Sequence, residues 1–295
     1  MNPITVVKVA YAIGTVFGNR KHHGLHVALI CKDTRISNYM FEGALQAGLT
    51  GVGMDVDLTG PLPTPAAAWL TGSMRDAAVG IVLTASQDLY YINGIQLFGP
   101  DGSKSTEEQE HEIERLINLE SHEKLLAQPD KVGKARRIVD GQGQYVTHVK
   151  STLPNYIRFG DMRVLLDCAH GALYEVAPRI LHDLGAEVFF KLGYMPNGLN
   201  INEDCGSAHP QVLTREVRKY RADVGIAFDG DGSHVMMADE QGQIIDSSQM
   251  SAILAASGNE EARFANPAND GFITALQVMS IIQSRKQKAS EVFHN

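Results

Sequence analysis

Residues 223–242 read DVGIAFDGDGSHVMMADEQG. An apolar run ending at Phe228 gives way to Asp229-Gly230-Asp231-Gly232, and a second apolar run begins at Val235. The first run has the length and composition of a buried strand, and the acidic, glycine-spaced loop marks its carboxyl end. A comparable break occurs upstream, where VGIVLT (79–84) stops at Thr84-Ala85-Ser86 before a polar turn. HVALIC (26–31) is another β-rich run, followed directly by Lys32-Asp33-Thr34-Arg35. Helix-period segments stand between such strands. The segment from Asn38 to Leu49 is one, with Met40, Phe41, Ala44, Leu45 and Leu49 on its apolar face. Strands alternating with helices, with polar loops after the strands, predict an α/β fold.

The rest of the chain extends this pattern. Val6, Val7, Val9, Ala10, Ile13, Val16 and Phe17 predict an amphipathic helix with Pro3 near its start. MDVDL (54–58) alternates like a strand, and Pro61, Pro63 and Pro65 then break the chain ahead of another helix. Ser105 and Glu108 match a capping box and start a helix carrying Ile113, Leu116, Ile117 and Leu125. The alternation restarts with RVLLDC (163–168), a helix through Val176, Ile180 and Leu184 closed by Gly185, and the strand AEVFFKL (186–192). Two α/β units, 1–150 and 151–245, follow, with a tail, 246–295, whose one helix spans roughly 271–287.

Composition narrows the function. The 295 residues are 44% hydrophobic and 20% charged, as in an ordinary globular chain, and the net charge of −8 speaks against a nucleic-acid partner. No apolar run approaches the ~18 residues of a membrane span, and no charged n-region marks a signal peptide, so a cytoplasmic protein without a membrane partner is expected. Cys31, Cys168 and Cys205 are odd in number and widely spaced, which suits reduced thiols rather than a zinc or redox motif.

Three constellations could carry chemistry. Ser86 lies beyond a strand end, where sites of α/β sheets gather, although a turn-capping serine reads the same way and no G-x-S-x-G elbow surrounds it. Asp229 and Asp231 suit a hard cation, yet the loop is not an EF-hand and a plain hairpin would use the same residues. Lys32 and Arg35 could face a phosphate at the following helix, or simply line a solvated loop. His22-His23, His170 and Tyr90-Tyr91 read as loop, turn and surface or packing residues.

Taken together, these motifs resemble the α-D-phosphohexomutase superfamily, and within it the phosphoglucosamine mutases. The resemblance rests on the ordered series Lys32–Ser37 (KDTRIS), Pro61–Pro65 (PLPTP), Thr84–Ser86 (TAS), Asn93–Ile95 (NGI), Pro196–Asn202 (PNGLNIN) and Phe228–Gly232 (FDGDG), which spans most of the chain. It implies α/β domains of three layers around mixed sheets. It also implies interconversion of glucosamine 6-phosphate and glucosamine 1-phosphate, on the route to UDP-N-acetylglucosamine and the cell wall, through a phosphoserine at Ser86. Mg²⁺ would lie between that serine and an aspartate loop at Asp229, Asp231 and the position of Ser233. Lys32, Arg35 and His209 (in a GSAHP stretch like the family's G-S-T-H-P) are the matching phosphate or substrate contacts.

The same resemblance exposes departures. Where the family has T-A-S-H-N-P, Gln87 replaces the histidine; where it has N-G-I-K, Gln96 replaces the lysine of general acid/base work. The D-G-D-G-D-R loop has become Asp229–His234, with Ser233 for the third aspartate and His234 for the arginine. The family's opening strand, its sugar loop and its fourth domain have no counterpart, and its third domain is reduced to residues 246–295. Glutamine cannot shuttle a proton at neutral pH, and losing one such group costs about 10²–10⁴-fold in rate. The expectation is a mutase-like chain with activity lost or strongly impaired and Mg²⁺ binding weak or lost. The alternative is a non-catalytic protein that binds a phosphosugar or pairs with a partner protomer, either a copy of itself or an intact mutase.

Overall fold

The computed structural model describes residues 1–18, 26–256 and 270–293. His22-His23 lie outside the described residues. The chain divides into two compact units, residues 1–85 with 91–141, and residues 86–90 with 142–295.

The first unit contains α1 (Pro3–Phe17), β1 (Val27–Lys32), α2 (Ile36–Gly51), β2 (Asp55–Pro61), α3 (Thr64–Ser73), β3 (Ala77–Leu83), β4 (Ile95–Phe98), α4 (Glu107–Ile117) and β5 (Ala135–Arg137). Its sheet runs β4-β3-β1-β2-β5. β1, β2, β3 and β5 are parallel, and β4 returns antiparallel to β3. Strands β1 and β3 are buried along their whole length, as parallel strands covered on both faces must be. Ala28, Ile30, Val79, Ile81 and Leu83 face the layer built by α1, α2 and α4.

Local chemistry sets the helix ends. Asn2 caps α1 by accepting from the Thr5 N–H at 2.9 Å, and Pro3 sits in the first turn where no backbone donor is needed. Gly48 lets α1 and α2 close up, since a Cβ there would lie 2.4 Å from that of Ala10. The capping box of α4 is Thr106 with Gln109, one residue beyond the Ser105/Glu108 pair the spacing predicts. Ser105 instead donates its hydroxyl to Glu110 at 2.6 Å. The helix ends at Ile117, so Leu125 lies on a separate single turn.

The second unit contains α5 (Gly141–Ser151), β6 (Arg163–Asp167), α6 (Val176–Asp183), β7 (Glu187–Leu192), α7 (Pro210–Tyr220), β8 (Val224–Phe228), β9 (Val235–Asp239), β10 (Ile244–Ile245), α8 (Ser247–Ala256), α9 (Gly271–Arg285) and α10 (Ala289–Phe293). Its sheet runs β10-β9-β8-β6-β7, with β6, β7 and β8 parallel and β9 antiparallel to β8. Leu213 and Val217 of α7 pack on Leu165 and Ala227. Phe272 of α9 meets Phe228 edge-on, ring centroids 5.4 Å apart. The Tyr145 hydroxyl of α5 donates to Asp270 at 2.7 Å. These two contacts explain why α5 and the described part of the tail gather with this unit, whereas the sequence places its boundaries at 150 and 245. Cys31, Cys168 and Cys205 are buried thiols, and burial pushes the Cys31 and Cys205 thiols up to about 12.

Candidate functional site

The β8–β9 connection is a six-residue loop, Asp229 to His234, tightened at Gly232, whose φ is +74°. Both of its carboxylates are buried, at 1% exposure. The Ser86 hydroxyl donates to Asp229 Oδ2 at 2.7 Å. The His234 N–H donates to Asp229 Oδ1 at 3.0 Å, and the ring Nδ1 lies 2.9 Å from Oδ2. Ser233 donates its N–H and its hydroxyl to Asp231 Oδ1, at 3.0 and 2.7 Å, and its hydroxyl comes within 3.4 Å of Asp229 Oδ2. Ser86, Asp229, Asp231, Ser233 and His234 therefore form one cluster within the second unit.

Its electrostatics follow from these contacts. Burial pulls the Asp229 carboxyl up, but the His234 ring and N–H and the Ser86 hydroxyl outweigh it, and the pKa falls below the usual carboxylate value. Ser86 is then a hydroxyl oriented on an ionised acceptor, with φ of +47°. A seryl oxygen so placed is a candidate nucleophile for phosphoryl chemistry.

The donor set can be tested against a divalent ion. Mg²⁺ demands oxygen ligands in near-octahedral array. Here Asp229 Oδ2 already meets the Ser86 hydroxyl and the His234 ring, and Asp231 Oδ1 meets Ser233 twice. Among the described residues no group of three or more His, Cys, Asp or Glu side chains could hold a metal ion. In this arrangement the His234 ring Nδ1, 2.9 Å from Asp229 Oδ2, stands on the carboxylate edge that a cation held by Asp229 would need.

The other predicted residues are placed elsewhere. Lys32, 2% exposed, pairs with Glu42 at 2.9 Å beneath the Tyr39 ring. Arg35 is fully buried on Asp33, which also accepts from the Arg35 N–H, the Asn38 amide at 2.7 Å and the Thr84 hydroxyl at 2.8 Å. Both cations thus meet buried carboxylates. Gln87 is exposed. Gln96 lies on β4 and lines a cavity of about 390 Å³ with Val9, Ile13, Lys104 and Ile113. His209 precedes α7 half-buried, with no side-chain cap bond. The His170 ring accepts from the Met195 N–H at 3.2 Å, in keeping with a turn histidine, and Tyr90 and Tyr91 are exposed.

Sequence reasoning missed two groups. Asp33 organises the loop after β1, and its position between Lys32 and Arg35 was the available signal. Asn202, the last residue of PNGLNIN, holds main-chain carbonyls of the Ser86 loop, which no local spacing reveals.

Comparison with known proteins adds ancestry to this geometry. Residues 1–124 match the family model of the phosphoglucomutase/phosphomannomutase α/β/α domain I, and residues 143–242 match that of domain II. A phosphoglucosamine mutase from Phenylobacterium zucineum is 48% identical over 263 residues, covering 89% of this chain and 58% of the relative. One from Zymomonas mobilis is 49% identical over 260 residues, covering 88% and 57%. The chain thus spans under three-fifths of the length of these relatives. The same fold is found in a phosphoglucomutase/phosphomannomutase family protein from Burkholderia thailandensis (TM-score 0.82, 19% identity, 100% of this chain and 76% of that one). A putative phosphomannomutase from Thermus thermophilus shares it equally (TM-score 0.82, 19% identity, 99% and 79%).

Proposed function

Because the chain belongs to the phosphoglucomutase/phosphomannomutase family and resembles phosphoglucosamine mutases within it, we propose that it carries the serine centre of a glucosamine-phosphate mutase in a form whose turnover is lost or strongly impaired. The observation that carries this reading is the occupancy of Asp229. Its Oδ2 serves the Ser86 hydroxyl and the His234 ring together.

Phosphoryl transfer needs positioning and charge neutralisation far more than covalent help from the protein. A bound divalent cation supplies that neutralisation in mutase chemistry. Here Ser86 keeps the nucleophilic oxygen, and Asp229 accepts its hydrogen bond. By the resemblance to the family's motifs, Gln96 and Gln87 replace a proton-shuttling lysine and a histidine. Neither amide titrates near neutral pH or carries charge. Asp231 and Ser233 complete a loop in which Mg²⁺ affinity is weak or lost. Lys32 and Arg35, tied to Glu42 and Asp33, act on the shape of their loop rather than on a phosphate.

The test is a mutase assay on purified, folded protein with glucosamine 6-phosphate, Mg²⁺ and a hexose bisphosphate primer, beside Ser86→Ala. Turnover indistinguishable from Ser86→Ala is expected. It would leave non-catalytic binding of a phosphosugar or of a partner protomer as the reading to pursue. Turnover clearly above the control would overturn the impaired reading and show that Ser86 with two aspartates suffices.

A further inference from the structure

Asn202 has no part in the chemistry above, yet it is built into the serine loop. It is 4% exposed, and its own N–H donates to the Ala169 carbonyl at 2.9 Å. Its side-chain amide donates to the carbonyls of both Ser86 and Asp88, each at 2.8 Å. One NH₂ group therefore grips the Ser86–Asp88 turn at both ends.

Two strained positions meet there. Ser86 has a φ of +47° and Asn202 of +60°. A non-glycine residue in the left-handed region persists only where its surroundings over-determine it, and asparagine tolerates that region better than most. Gly230 makes room for the arrangement. A Cβ on it would lie 2.8 Å from the Asn202 amide nitrogen and 2.7 Å from Ile201 Cδ1. The glycine that separates Asp229 from Asp231 is thus the residue that admits the Asn202 amide.

We propose that Asn202 is the positioning residue of Ser86, fixing the loop backbone so that the seryl oxygen is held on Asp229. This rests on the reading of Ser86 as the phosphoryl acceptor. In the step served, Ser86 Oγ bonds to the phosphorus of a sugar phosphomonoester, the bond from that phosphorus to the sugar oxygen breaks, and the seryl proton ends on the released sugar hydroxyl.

The experiment compares the whole chain with Asn202→Gly, Asn202→Asp and Asn200→Ala. Glycine keeps the left-handed backbone and removes the amide. Aspartate keeps the shape and replaces the donor by an acceptor. Among the described residues the Asn200 side chain binds within its own loop, to Met195 O and the Asn197 N–H, and it serves as the structural control. Amide hydrogen exchange over residues 84–91 and phosphate uptake at Ser86 from a hexose 1,6-bisphosphate, followed by intact mass against Ser86→Ala, are the readouts. Both Asn202 variants are expected to raise exchange in that segment roughly ten- to hundredfold, the effect of losing two partly buried hydrogen bonds. They should slow phosphate uptake at saturating donor by a similar factor, with donor affinity unchanged and exchange elsewhere unmoved. Asn200→Ala should change neither. Unmoved exchange in both Asn202 variants, or an equal change in Asn200→Ala, would overturn the proposal. If Asn202→Gly fails to fold, Asn202→Asp decides. A parent chain that never takes up phosphate would sink the reading of Ser86, while the exchange measurement still judges Asn202.

Discussion

The strands VGIVL (79–83) and VGIAF (224–228) occupy the same place in the two sheets. Each lies between a central parallel strand and an antiparallel return, and each pairs its glycine with a leucine, Leu29 or Leu165. Each glycine lies under the helix that precedes its strand. A Cβ on Gly80 would come 2.1 Å from Thr71 Oγ1, and one on Gly225 would come 2.5 Å from Val217 Cγ2. The frames agree, and the loops beyond them do not. In the first unit a side-chain network, Asp33 with Arg35, Asn38 and Thr84, fills the space at the strand ends. In the second, Asp167 is met by main-chain N–H groups, of Ala169 at 2.9 Å and Gly206 at 2.7 Å. The lesson is that one backbone plan can stabilise a buried acid with a cation or with the chain itself.

Asp33→Ala should sharpen that contrast most. It takes the paired carboxylate away from the fully buried Arg35 guanidinium, and breaking a buried ion pair costs about 3–5 kcal/mol. Asp167→Asn, which keeps one acceptor, should cost about 1–3 kcal/mol, and urea unfolding of both variants checks the order. Equal losses would erase the distinction between the two units.

A second test uses pH. Burial raises Asp270 from 3.8 to about 6, against the opposing pull of the Tyr145 hydroxyl and the Ile273 and Phe272 N–H groups. Between those values the native state holds a proton that the unfolded state has released. Its contribution is therefore complete at the acid end and lost as pH rises toward 6, by up to about 3 kcal/mol, with no further change above. Asp270→Asn should flatten that part of the stability-against-pH curve. An unchanged slope would assign it to another group.

Smaller effects follow. Gly80→Ala and Gly225→Ala should each cost about 1–3 kcal/mol by overpacking, and a large inequality in their melting temperatures would break the equivalence of the two strands. Thr106→Ala removes the first half of the α4 capping box and should cost about 1 kcal/mol.

Most of the architecture was legible because it rests on periodicity. The runs at 26–31, 79–84, 163–168 and 223–228 each proved to be strands to within a residue or two, and helix α9 fell where the apolar period put it. The α4 cap slipped by one residue because Ser105/Glu108 and Thr106/Gln109 satisfy the same spacing, and only backbone geometry chooses between them. The site was legible in part. Ser86, Asp229, Asp231 and Ser233 were named from the sequence, and the structure gathers them with His234. What pattern could not supply was which carboxylate each cation would find. Glu42 lies ten positions beyond Lys32, on the next helix, and Asn202 acts on carbonyls more than a hundred residues away.

The buried thiols have a practical consequence. With Cys31 and Cys205 pushed to about 12, almost no thiolate exists at neutral pH, and Cys168 is fully enclosed. The native chain should therefore stay dark to maleimide dyes. A single cysteine introduced at the fully exposed Val139 would become its one fast-labelling handle, giving a fluorescence reporter without first stripping the protein of its own sulfur.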